Sequence, residues 1–146
     1  MTPTVKKTII YSLLGLVAIA AAMAYYLYNK GPVDVKNANG IKVVATELYD
    51  AFAKDSVAAQ KNYSNKILET SGIVTQVSQN QQNQAIVMLK TNEGGAFVNC
   101  TMEGPATAIK EKESVIIKGI CTGMGMGDKD MGILGDVYLV RCYVVK

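Results

Sequence analysis

The sequence predicts a mainly β protein: a five-stranded β-barrel preceded by short α-helices, with a transmembrane helix at the N-terminus. Three observations carry that reading. Residues 8–28 form an uncharged apolar run. Between about 44 and 63 the apolar period is helical, and from Lys66 it becomes that of strands. Five such strand-like segments follow, each set off by a turn-forming or polar stretch.

The apolar run comes first. From Thr8 to Tyr28 only Thr8 and Ser12 interrupt a series of Ile, Leu, Val, Ala, Met, Gly and Tyr. Its 21 residues, as a helix rising about 1.5 Å each, span roughly 30 Å, the hydrocarbon thickness of a bilayer. Tyr11, Tyr25, Tyr26 and Tyr28 lie near the two ends, where amphipathic rings favour the membrane–water boundary. A cleaved export signal is the competing reading, with small residues at Ala20-Ala21-Ala22 or Ala22-Met23-Ala24 offering a cut. The run exceeds the usual signal core of about 7–15 residues, and its aromatic cluster continues past those sites, which favours an uncleaved signal anchor. No cysteine stands near it to carry a lipid. Lys6 and Lys7 precede the span and Lys30 opposes them only weakly, so residues 1–7 are expected in the cytoplasm and residue 31 onward outside. The expected location is the bacterial inner membrane, crossed once, with the domain in the periplasm or beyond.

Residues 29–43 read as a linker, broken by Gly31-Pro32, Asn37, Asn39 and Gly40. The domain is expected over 44–146. Val44, Leu48 and Phe52 recur every four residues and define one helix face; Asp55 or Ser56 can cap a second helix to about Tyr63. The strands are expected at 66–78, 85–91, 96–102, 114–122 and 137–145, with Gly72 marking a bulge or bend in the long first one. Residues 78–84 are wholly polar, 92–95 are Asn-Glu-Gly-Gly, 103–113 form a connector and 123–136 a long Gly/Met/Asp loop. Five strands with a long, bent first member are the inventory of an OB-fold barrel, and closure removes exposed edges. An open five-stranded sheet under the helices is the alternative. Alternation places Val98, Cys100, Val115, Ile117, Cys121, Tyr138, Val140, Cys142 and Val144 inside, and Asn99, Lys118 and Arg141 outside.

Charge and composition exclude several functions. From Gly31 onward there are 12 basic and 12 acidic residues, so the formal charge of +3 comes from Lys6, Lys7 and Lys30. A nucleic-acid partner ordinarily meets a basic footprint and stacked aromatics. The domain is neutral, Phe97 is the one aromatic of the second and third strands, and Lys90, Lys118 and Arg141 are scattered, so nucleic acid is disfavoured. The absence of histidine removes the commonest general base and metal ligand. Cys100, Cys121 and Cys142 allow one internal disulfide at most; Cys121–Cys142 is the preferred pair and Cys100–Cys142 the other option. Three buried free thiols are the alternative.

The 123–136 loop raises two metal readings. Asp128, Asp130 and Asp136 could offer oxygens to calcium, but only a fragment of an EF-hand loop is present and its final Glu is missing. Met124, Met126 and Met131 could offer thioethers to Cu(I). A glycine-relieved hairpin loop explains the same residues without metal, and neither a metal nor a cofactor is expected.

Several stretches carry a resemblance. Residues 55–74, Val98-Asn99-Cys100-Thr101-Met102, Lys118-Gly119-Ile120-Cys121-Thr122-Gly123 and Leu134 through Cys142 resemble the tRNA-anticodon-like OB-fold family of small bacterial exported or membrane-anchored proteins. Gly-Ile-Cys-Thr-Gly and Arg-Cys are its most specific parts. The resemblance implies the OB fold over about 44–146 and transfers no catalytic residue.

The functional expectation is therefore a non-enzymatic, membrane-tethered binding module for an envelope protein, a peptide or a small molecule. OB barrels commonly bind on the face of strands 2–3 and the flanking hairpin loops. By that analogy the candidate contacts are Asn80, Gln82, Asn83, Met124, Met126, Asp128, Asp130 and Met131.

Overall fold

A helix of apolar residues satisfies its own backbone, and the first element of the computed structural model does so over Pro3–Asn29 (α1). The structure describes residues 3–128 and 130–145; Met1, Thr2, Lys129 and Lys146 lie outside the described residues. From Thr4 to Asn29 the helix is long and apolar enough to cross a membrane, and it is exposed throughout. Its two polar interruptions are satisfied internally: Thr8 Oγ1 donates to the Thr4 carbonyl at 3.0 Å and Ser12 Oγ to that of Ile9 at 2.9 Å. This helix falls in one structural unit, Met1–Val33, and the barrel in a second, Asp34–Lys146.

The second unit begins with a strand the sequence reading did not foresee, β1 (Ile41–Val44), inside the expected linker and the start of the expected helix. Then come α2 (Ala45–Lys54), α3 (Ser56–Tyr63), β2 (Ile67–Gln79), β3 (Ala85–Lys90), β4 (Phe97–Met102), β5 (Ser114–Met124) and β6 (Val137–Val145). Strands β2 to β6 close on themselves in the order β2-β3-β4-β6-β5-β2, with β4 and β6 parallel and the other neighbours antiparallel. The result is a closed five-stranded mixed barrel with one extra strand, as the OB reading requires. The first half of β2 pairs with β5 along one edge, and its second half pairs with β3. Parallel β1 occupies the edge beside Leu68–Ser71 that β3 leaves open.

The segment leading into β1 is tied down by a buried residue and a cation. Val35 is buried. Lys118, expected in solvent, instead bonds Glu69 at 3.3 Å and the Ala38 carbonyl at 2.9 Å, with its side chain only 12% exposed.

The bend in β2 has two parts. The bulge falls at Thr75, where the register slips between Val74 and Gln76. Gly72 serves a different purpose: a Cβ there would meet Ala45 Cβ at 3.0 Å and Leu89 Cβ at 3.3 Å, so its missing side chain lets α2 and β3 close in.

Helix α2 buries Ala45, Leu48, Tyr49 and Phe52 and touches β2, β3, β4 and β6, as an element lying across a barrel end must. Leu48 and Phe52 form the expected face, but Val44 does not join it, because Val44 ends β1 and is exposed. Asp55 caps α3, accepting from the Ala58 amide at 3.1 Å. Ala106 and Ile109 of the 103–113 connector join the core at the other end.

The interior holds Leu68, Val74, Val87, Leu89, Val98, Cys100, Ile117, Cys121, Val137, Leu139 and Cys142, all fully buried. On β6 the alternation predicted Tyr138, Val140 and Val144 inside with Cys142. Of these only Cys142 is buried; Tyr138 is 40% exposed and Val144 41%. For the residues before it the cause is Arg141, whose left-handed backbone (φ 53°) forms a bulge between the Ile120–Val140 and Lys118–Tyr143 pairs. One extra residue reverses the faces before it, so Val137 and Leu139 point inward instead.

Candidate functional site

The directions of β2 and β5 decide how the two candidate loops relate. They are antiparallel, so loop 80–84, after β2, and loop 125–136, after β5, leave the barrel at opposite ends. The candidate residues therefore do not form one cluster. Between the ends lies the outer surface of β2, β3, β4 and β6.

In the 80–84 turn, Asn80 holds the chain together. Its Oδ1 accepts from the amides of Gln82 and Gln84, both at 2.9 Å, and its Nδ2 donates to Gln84 Oε1 at 3.0 Å. Asn83 takes a left-handed backbone (φ 61°), which asparagine tolerates. Gln82 and Asn83 are exposed. Beside the turn is a cleft of about 650 Å³ whose polar lining includes Gln79, Asn83, Gln84, Glu103 and Thr107.

Loop 125–136 is a built hairpin. Asp128 and Ile133 bridge, and the Gly125 amide donates to the Asp136 carbonyl at 2.8 Å. Its glycines permit close backbone approach: a Cβ on Gly135 would lie 3.0 Å from the Gly125 carbonyl carbon, and one on Gly127 would lie 2.7 Å from the Gly135 nitrogen. The Asp128 carboxylate accepts from the amides of Asp130 (3.0 Å) and Met131 (3.2 Å). Asp136 accepts from the Phe97 amide at 2.9 Å, fixing the start of β4 against β6. Two of the three aspartates are thus engaged by backbone, and no cluster of three His, Cys, Asp or Glu side chains suited to a metal occurs among the described residues. Met124 packs against the core, while Met126, Asp130 and Met131 are exposed.

The face between the loops is the better-formed surface. Cross-strand register places Gln76, Met88, Asn99 and Tyr138 in one row over four strands. Directly opposed residues share a face, and all four are half-buried or exposed while their neighbours Val87, Val98, Cys100 and Leu139 are buried. Ile86–Thr101 and Lys90–Phe97 form the flanking rows. Sequence reasoning named none of these four residues as a contact, and it placed Tyr138 inside, because the bulge at Arg141 has no signature in an otherwise apolar strand.

Cys100, Cys121 and Cys142 face the barrel interior. All three are free and buried. Cys142 approaches Cys100, and their hydrogen bond together with burial pushes the Cys142 thiol well above its usual range; burial does the same to Cys121. Raised thiol pKa values keep the groups protonated and poorly nucleophilic. Near the barrel rim, Arg141 Nε donates to Glu103 Oε2 at 3.1 Å. Hydrogen bonds from Arg141 and Tyr143 hold the Glu103 carboxyl below the usual carboxylate range, and the same carboxylate raises Tyr143.

No protein of curated function matches the chain. Among solved structures it is similar to a Klebsiella pneumoniae protein described as a "putative nucleic acid-binding lipoprotein", with 15% identity and a TM-score of 0.55 over 80% of this chain and 100% of that one. At that identity the likeness is one of fold. The family model named tRNA_anti-like matches residues 1–135, which takes in α1 and every barrel strand but β6. On that match, and with the closed barrel that the resemblance implied, the chain belongs to the tRNA_anti-like family.

Proposed function

We propose that this chain acts by binding and not by catalysis. Helix Thr4–Asn29 holds the OB-type domain at the outer side of the bacterial inner membrane, and the domain docks an envelope protein, a peptide or a small molecule. The observation that carries this reading is the row Gln76–Met88–Asn99–Tyr138, a mixed apolar and polar surface crossing four strands of a domain with balanced charge. Such composition suits a non-obligate interface core. Lys6 and Lys7 ahead of the span support the outward orientation.

Replacing Met88 with Glu, or Tyr138 with Ala, is expected to reduce capture of the partner from solubilised membranes at least tenfold. Lys61→Ala, on exposed α3, is expected to leave capture unchanged. Equal capture by all three would place the surface elsewhere.

A second reading is single-stranded nucleic acid. It is favoured by Phe97 and Tyr138 together on the outer side, since bases stack on aromatic rings. It requires a salt-sensitive shift of a labelled oligonucleotide at low ionic strength. The neutral domain leads us to rank it second.

A further inference from the structure

Among the described residues, four other than glycine hold a left-handed backbone: Asn65, Asn83, Lys112 and Arg141. Asparagine tolerates that conformation. Arg141 shapes a bulge and meets Glu103. Lys112 (φ 67°) is a long side chain where glycine would sit without strain. Strain retained at a non-glycine residue points to a use for its side chain.

The surrounding backbone fixes where that side chain starts. The Lys112 amide donates to the Val74 carbonyl at 2.7 Å, and the Val74 amide donates to that of Glu113 at 2.9 Å. The connector is thereby clamped to β2 at its bend, next to the bulge at Thr75. Lys112 and Lys90, the last residue of β3, both line a cleft of about 470 Å³ between that bend and the 92–95 turn. Neither lysine takes part in an ion pair among the described residues. Ile73, 49% exposed, and Phe97 add apolar wall; Thr75 and the Gly94–Gly95 turn add polar groups. Glu93 is the one carboxylate on the lining, which leaves the cleft with one net positive charge.

We propose that this cleft binds a small organic anion, with one phosphate or carboxylate group between Lys90 and Lys112 and an apolar body against Ile73 and Phe97. Lysine suits such a group as a point charge with three donors. The inference deepens the reading of a binding module by giving its ligand a charge class. It is carried by residues outside the row Gln76–Met88–Asn99–Tyr138, so the two can fail separately.

The test is an NMR titration of the full chain in detergent micelles with phenyl phosphate, benzoate and inorganic phosphate. Phenyl phosphate or benzoate is expected to give saturable shifts at the amides of Thr75, Gly94, Gly95 and Lys112, weakened by salt. Whichever of the two binds more tightly identifies the anionic group. Lys112→Gly relieves the backbone strain and removes the amine, so it is expected to keep or raise the thermal midpoint while weakening binding at least tenfold. Lys90→Gln is expected to weaken it similarly, and Lys61→Ala, on exposed α3, to leave it unchanged. Absence of saturable shifts, shifts mapping away from the cleft, or wild-type affinity in Lys112→Gly would overturn the proposal. Inorganic phosphate binding as tightly as phenyl phosphate would overturn the role of the apolar wall.

Discussion

Arg141 shows how one backbone angle redirects a strand. Val137 to Val145 is apolar at every position but 141, so either alternation fits the sequence, and nothing in it favours Leu139 over Tyr138 as the buried residue. The left-handed turn at Arg141 makes that choice and delivers Tyr138 to the outer row. Opposite the bulge, the interior has no room for a side chain on Gly119: a Cβ there would clash with the Cys142 sulfur and come within 3.2 Å of the Val140 carbonyl. Gly119→Ala is expected to lower stability by about 1–3 kcal/mol through overpacking. In a Cys142→Ala background the same change is expected to cost less, by roughly 0.5 kcal/mol or more, because neighbouring substitutions couple. Urea unfolding of the four proteins measures that difference. Glu103 makes a pH-dependent contribution. Its folded pKa is lowered, so the contribution is present above the usual carboxylate range and is lost as pH falls through the folded value. Tyr143 is raised, so its contribution is present below the usual tyrosine range and is lost as pH rises through the folded value. The thermal midpoint of wild type is therefore expected to exceed that of Glu103→Gln at neutral pH, with the gap closing at low pH and narrowing at high pH, where the Arg141–Glu103 pair persists.

Among the elements, those with local signals were legible. The five barrel strands are separated by stretches whose composition announces a turn, and α2 is marked by Leu48 and Phe52. β1 was not legible. It has four residues, and its pairing with β2 is set by contacts far along the chain, which no local pattern reports. Loop 125–136 was legible as a glycine-rich hairpin but not as a close-packed one, because glycine signals both freedom and close approach. The distinction is testable. Gly135→Ala is expected to force the loop apart from Gly125, speeding hydrogen exchange at the Gly125 and Ile133 amides at least tenfold while the amides of β3 are unaffected. Unchanged exchange at those two amides would mean that the loop does not depend on the close approach.

At the scale of the whole chain, an apolar exposed helix and a charge-balanced barrel make different demands on their surroundings. Helix Thr4–Asn29 is exposed along its length and is long and apolar enough to cross a membrane, whereas the barrel has its own core from Ala45 to Cys142. That partition was readable from residues 8–28 and from the count of 12 against 12 charges beyond them. The proposed binding row was not readable: fold analogy pointed to the two loops, whereas the row between them depends on register and on the β6 bulge. Photo-crosslinking in intact cells tests that surface most directly, with a photoreactive residue at position 88, 99 or 138, or at position 61 on α3. Adducts to one partner from the first three positions, and none from position 61, are expected. Adducts from position 61 alone, or equally from all four, would contradict binding on the β2-β3-β4-β6 face.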